Sequence, residues 1–172
     1  MPLKTLPKTS PGKTLGLESL NADDPGRRRL PGLLRRSWFS LNQTFRRRIA
    51  HTGITPDQFT VMRTLLEGDA KGMTQRELTD LMSSDANTIA SLLERMEACG
   101  LVERKPHERD RRAYRICLKP LGRRKYGEVR DSALSLQTEI LSVLPQKKRE
   151  EFLKHLDLVA DACRLAAEKI AK

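Results

Sequence analysis

Two short helical patterns followed directly by two alternating runs, all within Met73–Leu118, constrain this chain more than any other feature. Thr74 can cap a helix start, and Glu77 three residues later can close a capping box. Leu78 and Leu81 then recur at helical spacing, while Gln75, Arg76, Thr79 and Asp80 stay polar. Ser83 and Ser84 make a turn, and Asp85 is placed to cap a second helix. Ile89, Leu92, Leu93 and Met96 form its apolar stripe, and Gly100 is its stop. Beyond it, Leu101–Arg104 and Ala113–Leu118 alternate apolar with polar and predict a hairpin. Its tip, Lys105 to Arg112, is cationic.

The second helix leaves Ala86, Asn87, Thr88, Ala90 and Ser91 outside its stripe, with Arg95 further along. Small side chains allow close approach to a major groove, and amide and hydroxyl groups can bond base edges. Any surface helix is polar outside, so the hairpin decides the matter. Arginines at a hairpin tip can enter a minor groove, where negative potential is focused. The expected fold is mainly α with a small β-hairpin wing, a winged helix-turn-helix.

The residues resemble the MarR family of winged-helix transcriptional regulators. The likeness rests on Leu92–Arg104 (LLERMEACGLVER), on Asp110-Arg111-Arg112, similar to that family's Asp-x-Arg wing motif, and on Leu118–Gly122, and it covers about residues 30 to 170. It implies that Arg112 enters the minor groove, that Asp110 orients it, and that Asn87, Thr88 and Ser91 face the bases. Arg109 and Arg111 share the cationic tip, while Gln75 and Arg95 are expected to hold phosphates.

Net charge agrees with a polyanionic partner. The chain has 172 residues, long enough for one domain with its own core, and a formal charge of +11. Its arginines fall on several elements rather than along one amphipathic helix, which favours double-stranded DNA over a membrane surface. Cys99, Cys117 and Cys163 have neither disulfide nor zinc spacing, so a reducing cytoplasm is expected, with Cys117 and Cys163 as packing residues and Cys99 partly exposed. His51, His107 and His155 are not spaced as metal ligands. No phosphate loop or nucleophile elbow occurs, so no cofactor, metal or enzyme activity is expected.

Residues 1–29 are rich in proline, glycine and basic side chains and predict a mobile tail. Residues 30–172 form the domain, with the winged helix-turn-helix at 54–119. In the flanking segment 30–52, Leu34, Trp38, Leu41, Phe45 and Ile49 line one helix face. Thr55, Pro56 and Gln58 start the next helix, whose expected buried face is Phe59, Met62, Leu65 and Leu66, closed by Gly68. In 120–172, Val129, Ala133, Leu136, Ile140 and Val143 line a helix running to about Leu144. Phe152, Leu153, Leu156, Val159, Ala160, Cys163 and Ile170 line another, reaching about Ala171.

That much apolar surface on the terminal helices points to a homodimer. The resemblance implies repression of a pseudo-palindromic operator, relieved by a small aromatic acid or its thioester. Trp38, Phe45, Arg46, His51 and Met62 lie on the elements that would line the effector cleft. The alternatives are a sequence-independent architectural nucleic-acid binder and a winged helix that meets an acidic protein.

Overall fold

The computed structural model describes residues 29–110 and 113–170; residues 1–28, Arg111, Arg112, Ala171 and Lys172 lie outside the described residues. Six helices and three short strands follow in order: α1 Leu30–Ile49, α2 Pro56–Glu67, β1 Met73–Thr74, α3 Gln75–Leu81, α4 Ala86–Ala98, β2 Val102–Pro106, β3 Tyr114–Leu118, α5 Pro120–Leu141 and α6 Gln146–Ile170. A 3₁₀ turn, Ala50–Thr52, follows α1, and Gly53 ends it in the left-handed region. The chain divides into two units, one ending at Trp38 and one beginning at Phe39. In the first, Leu30, Leu33 and Trp38 are exposed.

The second unit holds the core. Ile49, Val61, Met62, Leu78, Ile89, Leu93, Met96, Val102, Ile116 and Val129 are almost completely buried in one cluster. Helices α2, α3 and α4 pack together, α5 lies against α2, and the sheet closes the assembly along α4 and α2. Phe59 stacks nearly parallel on Tyr126 with ring centroids 5.2 Å apart and meets Phe45 edge-on at 5.3 Å, so aromatic contacts join α1, α2 and α5.

The helix starts are built as the local sequence predicts. Thr55 with Gln58, and Thr74 with Glu77, each form a complete capping box, and Pro56 takes the first helical position. Gly68 caps the end of α2. Gly100, at φ 69°, takes the left-handed conformation just past α4, and the Leu101 N–H then returns to the Met96 carbonyl.

Several expectations are corrected. Leu81 is 62% exposed, because α3 ends there and the turn carries its last side chain off the core. In α2, Val61 is fully buried and Leu66 only half-buried, so the inward face is rotated by about one position. The hairpin is longer than predicted, since β2 runs through Pro106 and pairs it with Tyr114; the loop is therefore 107–113 rather than 105–112. A third strand was not anticipated: β1 pairs with β3 through Met73–Ile116 and Thr74–Arg115, giving the order β1-β3-β2.

Helix α5 ends at Leu141, not Leu144, and Ile140 and Val143 are exposed, whereas Val129 and Leu136 are buried. Along α6, Leu153 and Val159 of the predicted line are half-buried, and Phe152, Leu156, Ala160 and Cys163 are exposed. Cys163 is thus not a packing residue of the single chain. Cys99 is exposed, and Cys117 is half-buried, donating to the Lys71 carbonyl at 3.3 Å. No described helix is long and apolar enough to cross a membrane.

Candidate nucleic-acid interface

Helix α4 presents one continuous polar face because its other face is used entirely by the core. Ile89, Leu92, Leu93 and Met96 are buried, which leaves Ala86, Asn87, Thr88, Ser91 and Arg95 exposed and Ala90 half-buried. The N-terminal end of this face is held by Asp85. Its Oδ1 accepts the backbone N–H groups of Asn87 and Thr88 at 3.1 and 2.9 Å, and its Oδ2 accepts the Thr88 hydroxyl at 2.6 Å. These bonds, the Thr88 hydroxyl foremost, hold the Asp85 carboxyl below its ordinary range.

Gln75 links the two helices. Its Nε2 donates to the Ala86 carbonyl at 3.2 Å, tying the start of α3 to the start of α4 across the turn. The Glu77 carboxyl is held below its ordinary range, chiefly by the Thr74 N–H and then by the Thr74 hydroxyl. At the other end of α4, Glu97 faces Arg104 of β2 at 3.2 Å, so α4 and the wing are joined at their shared base.

The wing loop is shaped by two groups that pattern-reading missed. His107 Nδ1 accepts the backbone N–H groups of Arg109 and Asp110, both at 3.3 Å, while the backbone N–H of His107 donates to the Ala113 carbonyl at 3.1 Å. Arg115, on β3, donates to Glu108 at 2.9 Å and to the Gly72 carbonyl at 2.9 Å. This pairing lowers the Glu108 pKa and raises that of Arg115. A short acceptor just before a charged turn could have pointed to His107; nothing local points to the Gly72–Arg115 contact. Arg109 is exposed at the tip, as is Asp110, whereas Arg111 and Arg112 lie outside the described residues.

The expected effector residues fall in different environments. Trp38, in the first unit, is 61% exposed. In the second, Phe45 is half-buried against Phe59, and Arg46 and His51 are exposed. Met62 is fully buried within the core cluster. Among the described residues no cluster of side chains could hold a metal ion.

Residues 52–113, from the end of the 3₁₀ turn to the far side of the wing loop, match the sequence profile of the MarR family. Over this segment, the helix-turn-helix and wing, the chain is similar to the MarR family. Solved structures extend the likeness to the flanking helices. A MarR structure is 25% identical with a TM-score of 0.70, over 83% of this chain and 97% of that one. A MepR–DNA complex from S. aureus is 18% identical with a TM-score of 0.72, over 79% of this chain and 99% of that one. CouR from Rhodococcus jostii, bound to p-coumaroyl-CoA, is 23% identical with a TM-score of 0.67, over 74% and 89%. No curated protein is significantly similar in sequence. The MarR profile ends before β3, so α5 and α6 join this comparison through the fold alone.

Proposed function

We propose that the protein is a DNA-binding transcriptional regulator that acts as a homodimeric repressor on a pseudo-palindromic operator. The observation that carries this is the exposed face of α4: small, polar, capped at its start, and joined at its base to a basic wing. Asn87, Thr88 and Ser91 read base edges, Gln75 and Arg95 hold backbone phosphates, and Ala86 allows close approach. Arg109, Arg111 and Arg112 bring charge to the flanking minor groove, with Asp110 orienting Arg112. The charge of +11 supplies non-specific attraction and sliding.

The apolar faces left open on the terminal helices support the dimer. Ile140 near the end of α5, Val143 just beyond it, and Phe152, Leu156, Leu158 and Leu165 on α6 are all exposed. A two-fold assembly covers such surface and sets two recognition helices about 34 to 36 Å apart, one turn of duplex. An effector that favours a different spacing releases the DNA. That effector is a small aromatic acid or its thioester, with Phe45, Arg46 and His51 available to it; CouR, with its bound p-coumaroyl-CoA, is a structural relative whose ligand is of this kind.

The test separates base readout from charge. A duplex selected from random sequence and an unselected duplex are titrated with wild type, Asn87→Ala, Ser91→Ala and Arg112→Ala. The neutral substitutions should weaken only the selected duplex, because they release no counterions, whereas Arg112→Ala should cost about 1 to 3 kcal/mol. Equal affinity of the wild type for both duplexes would instead make it a sequence-independent architectural binder.

A further inference from the structure

The Thr88 hydroxyl has a single proton, and its direction is fixed. Oγ1 lies 2.6 Å from Asp85 Oδ2, and an ionised carboxylate only accepts, so the hydroxyl must donate inward. Asp85 cannot easily turn away, because its other oxygen is occupied by the N–H groups of Asn87 and Thr88. What Thr88 then shows to the outside is a methyl group and oxygen lone pairs. Its hydroxyl has lost the usual ability of serine and threonine to serve either as donor or as acceptor.

We propose that Asp85 is a positioning residue for sequence choice: by fixing the Thr88 hydroxyl as an acceptor, it restricts the facing base edge to one that offers a donor. In the major groove those edges are the amino groups of adenine and cytosine, whereas guanine O6 and N7 and thymine O4 are acceptors and are disfavoured. The inference rests on reading α4 as the base-reading helix and goes beyond it in assigning the polarity of one contact. Asp85 itself touches no base in this account.

The chemistry makes a clean exchange available. Asp85→Asn keeps Oδ1 to cap the helix but replaces Oδ2 with an NH2 group, which donates to Thr88 Oγ1 and frees the hydroxyl proton to point outward. Binding is selected from random duplexes for wild type, Asp85→Asn, Thr88→Val and the double variant, with thermal melts confirming that each is folded. At one position per half-site, wild type should favour adenine or cytosine, and Asp85→Asn should move the preference toward guanine or thymine by roughly three- to tenfold, the scale of one hydrogen bond. Thr88→Val should flatten that position, and adding Asp85→Asn to it should change base choice no further.

Losing a negative charge should tighten Asp85→Asn on every duplex alike, which cancels in the ratio of bases. Unchanged base choice in Asp85→Asn, or a change that persists in the Thr88→Val background, would overturn the proposal. A wild-type preference for guanine or thymine at that position would also overturn it, since the Thr88 oxygen could not then be the acceptor that sets the choice. A wild type that selects no sequence at all would overturn the operator reading, and this inference with it.

Discussion

Gly72→Ala should be the most damaging single-methyl change at the base of the wing. Gly72 sits at φ +91°, and an added Cβ would lie 2.5 Å from the Ile116 carbonyl oxygen and 2.7 Å from Cys117 Sγ. Two costs of the same sign combine there. Left-handed backbone costs an L-residue about 1–2 kcal/mol, and forcing a methyl into a filled space costs about 1–3 kcal/mol, giving about 2–5 kcal/mol together. Gly53→Ala is the internal control: it carries φ +72° but meets nothing within 4 Å, so it should lose only the backbone part. Both substitutions restrict the unfolded chain equally, so that contribution cancels in the comparison.

Urea unfolding followed by circular dichroism would measure the difference, and each kcal/mol should appear as about 2–4 °C in Tm for a chain of this size. The strain should also reach the interface, because β1 pairs with β3 immediately after Gly72 and the Gly72 carbonyl holds Arg115. A Gly72→Ala protein no less stable than Gly53→Ala would refute the close approach of this backbone to the wing strand.

Three further outcomes are expected. His107→Ala should weaken duplex binding by about 0.5–1.5 kcal/mol by leaving two loop N–H groups without their acceptor, while His107→Asn should restore it, because asparagine Oδ1 occupies nearly the place of Nδ1; equal anisotropy titrations for both variants would contradict this. Leu158→Asp or Leu165→Asp, on exposed positions of α6, should shift sedimentation toward the monomer, and a wild type already monomeric at micromolar concentration would end the two-fold model. Glu77 and Asp85 have lowered folded pKa values, so their stabilisation is complete above the ordinary carboxylate value of about 4 and is lost as pH falls through the lower folded values. Glu77→Gln should therefore flatten the decline in Tm below that pH, and an unchanged acid slope would show that the Thr74–Glu77 box does not titrate with folding.

What the sequence determined by itself is what neighbouring residues decide among themselves. Thr55 with Gln58, Thr74 with Glu77, and Asp85 before Ala86 announce helix starts because each cap closes within three residues. The stripe from Ile89 to Met96 and its glycine stop fix α4 for the same reason, and the exposure of Asn87, Ser91 and Arg95 follows once that stripe is buried. The tertiary structure decided the rest. A two-residue β1 has no periodicity to detect and exists only because β3 supplies its partners. Leu81 looks like a core residue by spacing, yet it falls where α3 has already turned away. His107 and Arg115 read as two more wing charges until folding brings loop N–H groups to one and the Gly72 carbonyl to the other. Helix α6 shows the same limit from the other side: its apolar line is plain in the sequence, but burial is a property of what packs against a face, and within this single chain most of that line remains open.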